Sequence, residues 1–215
     1  MIAKIKNIIF DLGGVILDID ENIVYKELEK LGINVSELAH SQEFIDTFSK
    51  FDIGVYTAPT FRKKIKAILG QEKMTDQRFD AIWNAMLLDI PRERIEAIEQ
   101  VKKHYKIFLM SNTNEIHYDL YVRDLQLRFG YKEFDALFDK SYFSFDIHLE
   151  KPDPRFFEFI LDHEHLLPEE TLFIDDTEAN IKAAKKLGIR TYHIRRDELV
   201  RNLFENGVLK DGIVD

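Results

Sequence analysis

Short apolar runs that stop at a charged or small polar residue recur along this chain. The first, Ile5 to Phe10, is rich in β-branched residues, ends at Asp11 and is followed at once by Gly13-Gly14. That pattern predicts a buried strand running into a turn. Ile107 to Met110, Thr171 to Ile174 and Arg190 to Ile194 have the same form. Helical periodicity separates them, as where Ile181, Ala184 and Leu187 fall on one face after Asp176. Strands alternating with helices imply βαβ units, and hence an α/β fold with a doubly wound parallel sheet.

The character changes between residues 18 and 89. Strand signals vanish, and helices are expected at Asn22 to Leu31, Gln42 to Phe51, Pro59 to Leu69 and Gln77 to Met86. Gly32, Gly54 and Gly70 fall where those helices should stop. The chain is therefore expected to divide into a core, residues 1–17 and 90–215, and an inserted helical module, residues 18–89. Phe44, Phe48, Phe51, Phe61, Phe79 and Trp83 have partly helical spacing, as for the core of a small bundle. One or two of those rings are free to wall a pocket. The segment Asp197 to Asn206 reads as a solvated amphipathic helix.

Composition narrows the function. A hydrophobic fraction of 45% with 17 Phe is ample for a packed core. The net charge of −9, with Lys and Arg scattered, argues against a nucleic-acid-binding face, which would carry a basic stripe. It leaves room for a local anion site built from a few buried donors. The absence of Cys excludes a disulfide framework and a thiolate nucleophile. Residues 1–6 lack the apolar run of a signal peptide, and no stretch is apolar enough to span a membrane. A cytoplasmic protein, monomeric or a simple dimer, is the expectation.

In an open parallel sheet, ligands collect outside the carboxyl ends of the strands. Four polar clusters stand near that edge: Asp11; Ser111-Asn112-Thr113-Asn114; Lys151-Pro152-Asp153-Pro154, which opens a helix; and Asp175-Asp176. Singly, each is ordinary, since a strand-end Asp can merely cap the next helix. Together and in this order they resemble the four motifs of the haloacid dehalogenase-like hydrolases. The resemblance covers Ile8 to Ile16, Leu109 to Asn114, Ser144 to Phe157 and Leu172 to Ile189. The helical stretch between the first two motifs matches the inserted cap of that superfamily's first cap class.

The resemblance implies a Mg²⁺-dependent phosphatase acting on a small phosphorylated metabolite. Asp11 would attack phosphorus and become an aspartyl phosphate, splitting one hard hydrolysis into two easier steps. Asp11, the backbone carbonyl of Gly13 and Asp176 are the implied Mg²⁺ ligands, with Asp175 a supporting residue or an additional ligand. Ser111 and the amide of Asn112 would hold phosphate oxygens, and Lys151 would supply fixed positive charge beside Asp11 and the phosphate. Asn180, one turn after Asp176, would orient the metal loop or else point outward.

The sequence departs from the usual phosphatase pattern at Gly13, where a second Asp protonates the leaving oxygen and later activates water. General acid–base assistance is worth roughly 10²–10⁴-fold. A phosphatase without it would favour good leaving groups, such as the anomeric oxygen of a sugar 1-phosphate. Consistent with this, residues 10–16 and 18–20, Ser111 to Asn114, His117, Asp175-Asp176 and Asn180 resemble a bacterial subgroup that includes α-glucose-1-phosphate phosphatases. Two alternatives stand beside this reading. A 2-haloacid dehalogenase would need no proton donor, but would leave Asp175-Asp176 without a metal to serve. A phosphometabolite-binding module with little turnover would not need the full set of Asp11, Ser111, Lys151 and Asp176.

Asp18, Asp20, Glu115 and His117 are near enough along the chain to replace the missing acid. Asp20 equally suits a helix N-cap, and His117 the first turn of a helix. The family commonly has Gly three residues before the motif Lys; here it is His148, tolerable because His is enriched among non-Gly residues at positive φ. His148 is expected to face solvent. Cap residues set specificity in such enzymes, and Phe44, Phe48, Phe51 and Tyr56 are the first candidates.

Overall fold

The computed structural model describes residues 4–195 and 198–213. Its central strand, β1 (Asn7–Phe10), is buried along its whole length. Such a strand needs apolar cover on both faces. It pairs in parallel with β2 (Lys106–Ser111) on one side and β4 (Thr171–Asp175) on the other. β3 (Lys140–Phe143) and β5 (Arg190–His193) complete a five-stranded sheet in the order β3-β2-β1-β4-β5. The direction of winding reverses at β1, so the crevice beside its carboxyl end is where a ligand is expected.

Alternation along the strands sorts their side chains into two cores. Ile8, Phe10, Ile107, Leu109, Leu172 and Ile174 face one side. There they meet α6 (Arg92–Val101) and α7 (Glu115–Phe129) through Ile95, Ile98, Tyr121 and Leu125. Ile9, Phe108, Met110, Tyr142 and Phe173 face the other side. They pack on α10 (Pro154–Glu164) and α11 (Glu178–Lys186) through Phe156, Phe157, Ile160 and Ile181. Two short helices, α8 (Phe134–Leu137) and α9 (Ser144–Ile147), flank β3.

Five helices are inserted between β1 and α6: α1 (Glu21–Lys30), α2 (Val35–Ala39), α3 (Gln42–Asp52), α4 (Ala58–Ile68) and α5 (Asp76–Trp83). The four longer ones follow the expected periodicity. The five-residue α2 is too short to show one. Asp20, Ser41 and Thr75 accept hydrogen bonds from first-turn amides of α1, α3 and α5, which fixes where those helices begin. The helices share an aromatic core in which Phe51 stacks on Phe61 at 3.9 Å, and Phe79 and Trp83 meet the same ring edge-on. A two-stranded ribbon joins this layer to the sheet: Asp18 N donates to Asp89 O, Leu88 N to Asp18 O and Asp20 N to Met86 O.

Two sequence expectations need correction. β3 escaped notice because Lys140 and Ser141 make it half polar, as an edge strand can be. The expected helix at Asp197 to Asn206 is, where described, a 3-10 turn at Val200–Leu203 followed by a hairpin of β6 (Phe204–Glu205) and β7 (Val208–Leu209); Asp197 lies outside the described residues. Asn206 and Gly207 both have positive φ, the geometry a two-residue hairpin turn needs. Val200, Leu203 and Phe204 are buried against the first core, so this segment is packed rather than solvated. Among the described residues, no helix is long and apolar enough to cross a membrane.

Phe61 is fully buried at the centre of the aromatic cluster. Phe61→Ala is expected to lower unfolding free energy by about 3–5 kcal/mol, the usual cost of such a cavity. Urea denaturation checks this, and a loss under about 1 kcal/mol would mean that other contacts hold the layer together.

Candidate active site

Four chain segments converge at the carboxyl ends of β1, β2 and β4. Asp11 ends β1, and its backbone N–H extends the pairing with β4 by donating to Ile174 O at 2.9 Å. Lys151, just before α10, is buried and points its ammonium into the sheet edge. Nζ lies 2.6 Å from Asp11 Oδ1, 2.8 Å from Asp175 Oδ2 and 3.0 Å from Met110 O. An ammonium has three N–H donors, so all three are used. Burial works against the charged form of Lys151, but the carboxylates of Asp11 and Asp175 hold its pKa above the ordinary value.

Asp175 is completely buried. Besides Lys151 it accepts from Thr177 N at 2.7 Å and from Asn180 Nδ2 at 3.0–3.1 Å. Asn180 thus points inward and orients the loop after β4. Asp176 is half-buried and lines the cleft, as do Asp11 and Gly13. Its neighbour Gly14 adopts φ +73°, and a Cβ there would lie 2.2 Å from Asp176 Oδ2. Only glycine lets the turn after β1 and the loop after β4 approach so closely.

Ligand oxygens of Asp11, Asp175 and Asp176 lie within 4.8 Å of one another. One ammonium against three carboxylates leaves uncompensated negative charge. Accordingly, burial pushes the Asp11 carboxyl up to about 7, with Lys151 opposing and Asp175 adding to the rise. Burial and then Asp175 raise Asp176 as well. A hard divalent cation fits this all-oxygen donor set and would restore the charge balance.

The cleft beside this cluster encloses about 590 Å³ and is lined by Asp11, Gly13, Asp20, Asn112, Lys151 and Asp176, among others. The Asn112 side chain pins the Lys151 backbone, donating from Nδ2 to its carbonyl and accepting from its N–H, both at 2.8 Å. Its own backbone N–H is therefore the group left to meet an anion. Ser111 is buried at the end of β2, with only a 3.5 Å contact from Oγ to Asn112 O. It does not line the cleft. Asn112, Ile19 and Glu21 are shared with a second cavity of about 500 Å³, walled by Val24, Leu28, Phe44, Phe48, Trp83 and Met86. Phe44 and Phe48 thus face a pocket, whereas Phe51 is core and Tyr56 packs beside it.

Three substitutes for the missing acid are committed elsewhere. Asp18 pairs with Arg94 at 2.7 Å, and Glu115 accepts from Ala58 N at 2.8 Å. His117 is buried, with Nδ1 2.8 Å from Asn84 Oδ1; burial pushes its pKa down to about 4, so the imidazole is neutral near pH 7. Asp20 caps α1 while lining the cleft. His148 does take positive φ, and Nδ1 of its exposed ring reaches Ile53 O at 2.8 Å. Sequence reasoning overlooked Asp52, a buried carboxyl in the wall of the second cavity. Its signal was an acid in the last turn of α3, where the helix dipole disfavours negative charge.

The model of the haloacid dehalogenase-like hydrolase family matches residues 5–188. A D-ribitol-5-phosphate phosphatase of Bacteroides thetaiotaomicron is 31% identical over 87% of this chain and 91% of its own length. A HAD-family enzyme from the same organism superposes with a TM-score of 0.88 at 32% identity, covering 94% of this chain and 99% of that one. Its complex with magnesium and inorganic phosphate gives a TM-score of 0.85 at 31% identity, covering 94% and 100%. A dehalogenase structure at 19% identity and TM-score 0.60, covering 92% and 88%, shares the fold. Matched along most of its length by the family and by a phosphatase of it, the chain belongs to the haloacid dehalogenase-like hydrolases.

Proposed function

We infer that this hydrolase is a Mg²⁺-dependent phosphatase of a small phosphometabolite, a sugar or polyol phosphate, working through an aspartyl phosphate on Asp11. The observation that carries this reading is the Lys151-bridged cluster of Asp11, Asp175 and Asp176 at one end of the sheet. The solved relative's complex with magnesium and phosphate, and the curated relative's polyol phosphate, support it. Displacement of halide would leave the third carboxylate and the excess charge without a purpose.

Asp11, Asp176 and the Gly13 carbonyl hold the Mg²⁺, with Asp175 fixing Lys151 and the loop beneath. The bound ion neutralises phosphate charge and keeps Asp11 in its carboxylate form. Lys151 steadies Asp11 and adds positive charge on the phosphate side. The backbone amide of Asn112, which lines the cleft, receives a phosphate oxygen, while Ser111, buried behind it, ends β2 and supports that turn. The Asp11 oxygen not turned to the metal then attacks phosphorus, the bond to the leaving oxygen breaks with its electron pair staying on that oxygen, and the resulting alkoxide takes a proton from water. In the second step water attacks the phosphorus, the bond to Asp11 breaks and inorganic phosphate departs. The helices of residues 18–89 act as a cap that encloses the leaving group and excludes water during the first step.

Gly13 offers no acid to the leaving oxygen, an absence that slows cleavage of alkyl phosphates, polyol phosphates included, more than cleavage of anomeric ones. A Cβ at this position would lie 3.2 Å from the tip of Ile19, a flexible end that can yield. Gly13→Asp is therefore expected to fold and to raise kcat on ordinary alkyl phosphates more than on anomeric ones; an equal change on both would show that acid catalysis does not set the range.

Asp11→Asn should reduce kcat by about three orders of magnitude or more, since a nucleophile acts as part of a unit. Activity within tenfold of the wild type would remove Asp11 from that role. Gly14→Ala tests the metal: displacement of Asp176 should weaken apparent Mg²⁺ affinity by about tenfold or more in an activity titration, an amount equal to about 1.4 kcal/mol. An unaltered Mg²⁺ curve would contradict ligation by Asp176.

A further inference from the structure

Asp52 is a buried charged group that the phosphoryl chemistry does not use. It ends α3, where aligned backbone carbonyls oppose a negative charge, so its position is unfavourable for helix stability. Its Oδ1 accepts one hydrogen bond, from Asn114 Nδ2 at 3.0 Å. Among the described residues, Oδ2 has no hydrogen-bond partner, and it is not one of the sealed polar atoms. One neutral donor is poor compensation for a buried carboxylate, and burial raises its pKa to about 7, with Asn114 opposing and Glu150 adding. Polar groups held this way normally have a partner.

The surroundings indicate what that partner is. Asp52 lies in the wall of the 500 Å³ cavity, whose other walls include the rings of Phe44, Phe48 and Trp83 and the side chains of Val24, Leu28 and Met86. That cavity meets the reaction cleft at Ile19, Glu21 and Asn112. A carbon skeleton that extends from a phosphate at Asp11 into this adjoining cavity would meet a wall that includes Asp52. The backbone there is fixed: Ser144 Oγ lies 2.6 Å from Asp52 O and accepts from Thr113 N at 2.9 Å. Asn114, which aligns the carboxylate, is itself fixed as the N-cap of α7, accepting from His117 N. The carboxylate is thus held rigidly by the segment that follows Ser111.

We propose that Asp52 determines specificity, its Oδ2 accepting a hydrogen bond from a hydroxyl on the carbon skeleton of the substrate while the aromatic wall packs against the C–H face. This deepens the phosphatase reading and rests on it. A site built to bond a substrate hydroxyl discriminates strongly against analogues that lack it, because its own polar group is then left unpaired.

The test compares the wild-type enzyme with Asp52→Asn, an isosteric change that keeps an oxygen for Asn114, on three Mg²⁺-supplemented substrates. These are a five-carbon polyol phosphate, pentyl phosphate and acetyl phosphate. The wild type should prefer the polyol ester to pentyl phosphate at least tenfold in kcat/KM. In Asp52→Asn that preference should collapse to about threefold or less, mainly through KM, and the loss on the polyol ester should exceed the loss on acetyl phosphate at least tenfold. Equal losses on all three substrates would make Asp52 structural and overturn the proposal. So would a wild type that accepts pentyl phosphate as readily as the polyol ester, an outcome that does not depend on the variant folding. Failure of the wild type to hydrolyse any of the three, acetyl phosphate included, would instead count against the phosphatase reading.

Discussion

One buried ammonium organises this molecule. Lys151 donates to Asp11, Asp175 and the carbonyl of Met110, and those acceptors belong to the ends of three different strands. Removing it would leave two buried carboxylates facing each other, a fault that typically costs about 3–5 kcal/mol. In the proposed mechanism the same charge opposes the rise that burial imposes on the Asp11 carboxyl and so favours its ionised form. Support for the ammonium is layered. Asn112 holds the Lys151 backbone from β2, Asn180 holds Asp175 from α11, and Gly14 leaves room for Asp176.

The inserted helices answer a different constraint. Their aromatic core, which also includes Ile116 of α7, packs the layer together, and the ribbon at Asp18 and Asp89 attaches it to the sheet. The contacts across to the sheet are specific: Ser144 with the Asp52 carbonyl, His148 with Ile53, and Glu115 with the first amide of α4. Gly54 permits the closest of them, since a side chain there would strike the Phe145 carbonyl. Two adjoining cavities result, a polar one at the carboxylates and an apolar one under the helices. That division matches a phosphorylated molecule with its charge at one end and its carbon skeleton at the other.

How much of this was legible in the sequence depends on how local each feature is. A buried parallel strand is an apolar run ended by polar residues, so β1, β2, β4 and β5 could be read directly, along with Asp11, Ser111 and Asp175-Asp176 at their ends. β3 could not, because half its residues are polar. The closing hairpin was signalled by Asn206-Gly207, but the surrounding periodicity looked helical. Asp52 left only a weak trace, an acid in the last turn of a helix, for a different reason. Its meaning comes from Asn114 and Ser144, 62 and 92 residues away, and no periodicity encodes such a meeting. The rings of Phe44 and Phe51 likewise share one helix and one pattern, yet only tertiary packing decides which faces a cavity.

The proposed mechanism requires that Asp11 become covalently phosphorylated during turnover. Acid quenching during steady turnover with Mg²⁺, followed by mass spectrometry of proteolytic fragments, measures this directly. The fragment carrying Asp11 should gain the mass of one phosphoryl group, labile to hydroxylamine and absent when a chelator precedes substrate. Sustained phosphate release with no protein-bound phosphoryl group, or with the group on another residue, would contradict it.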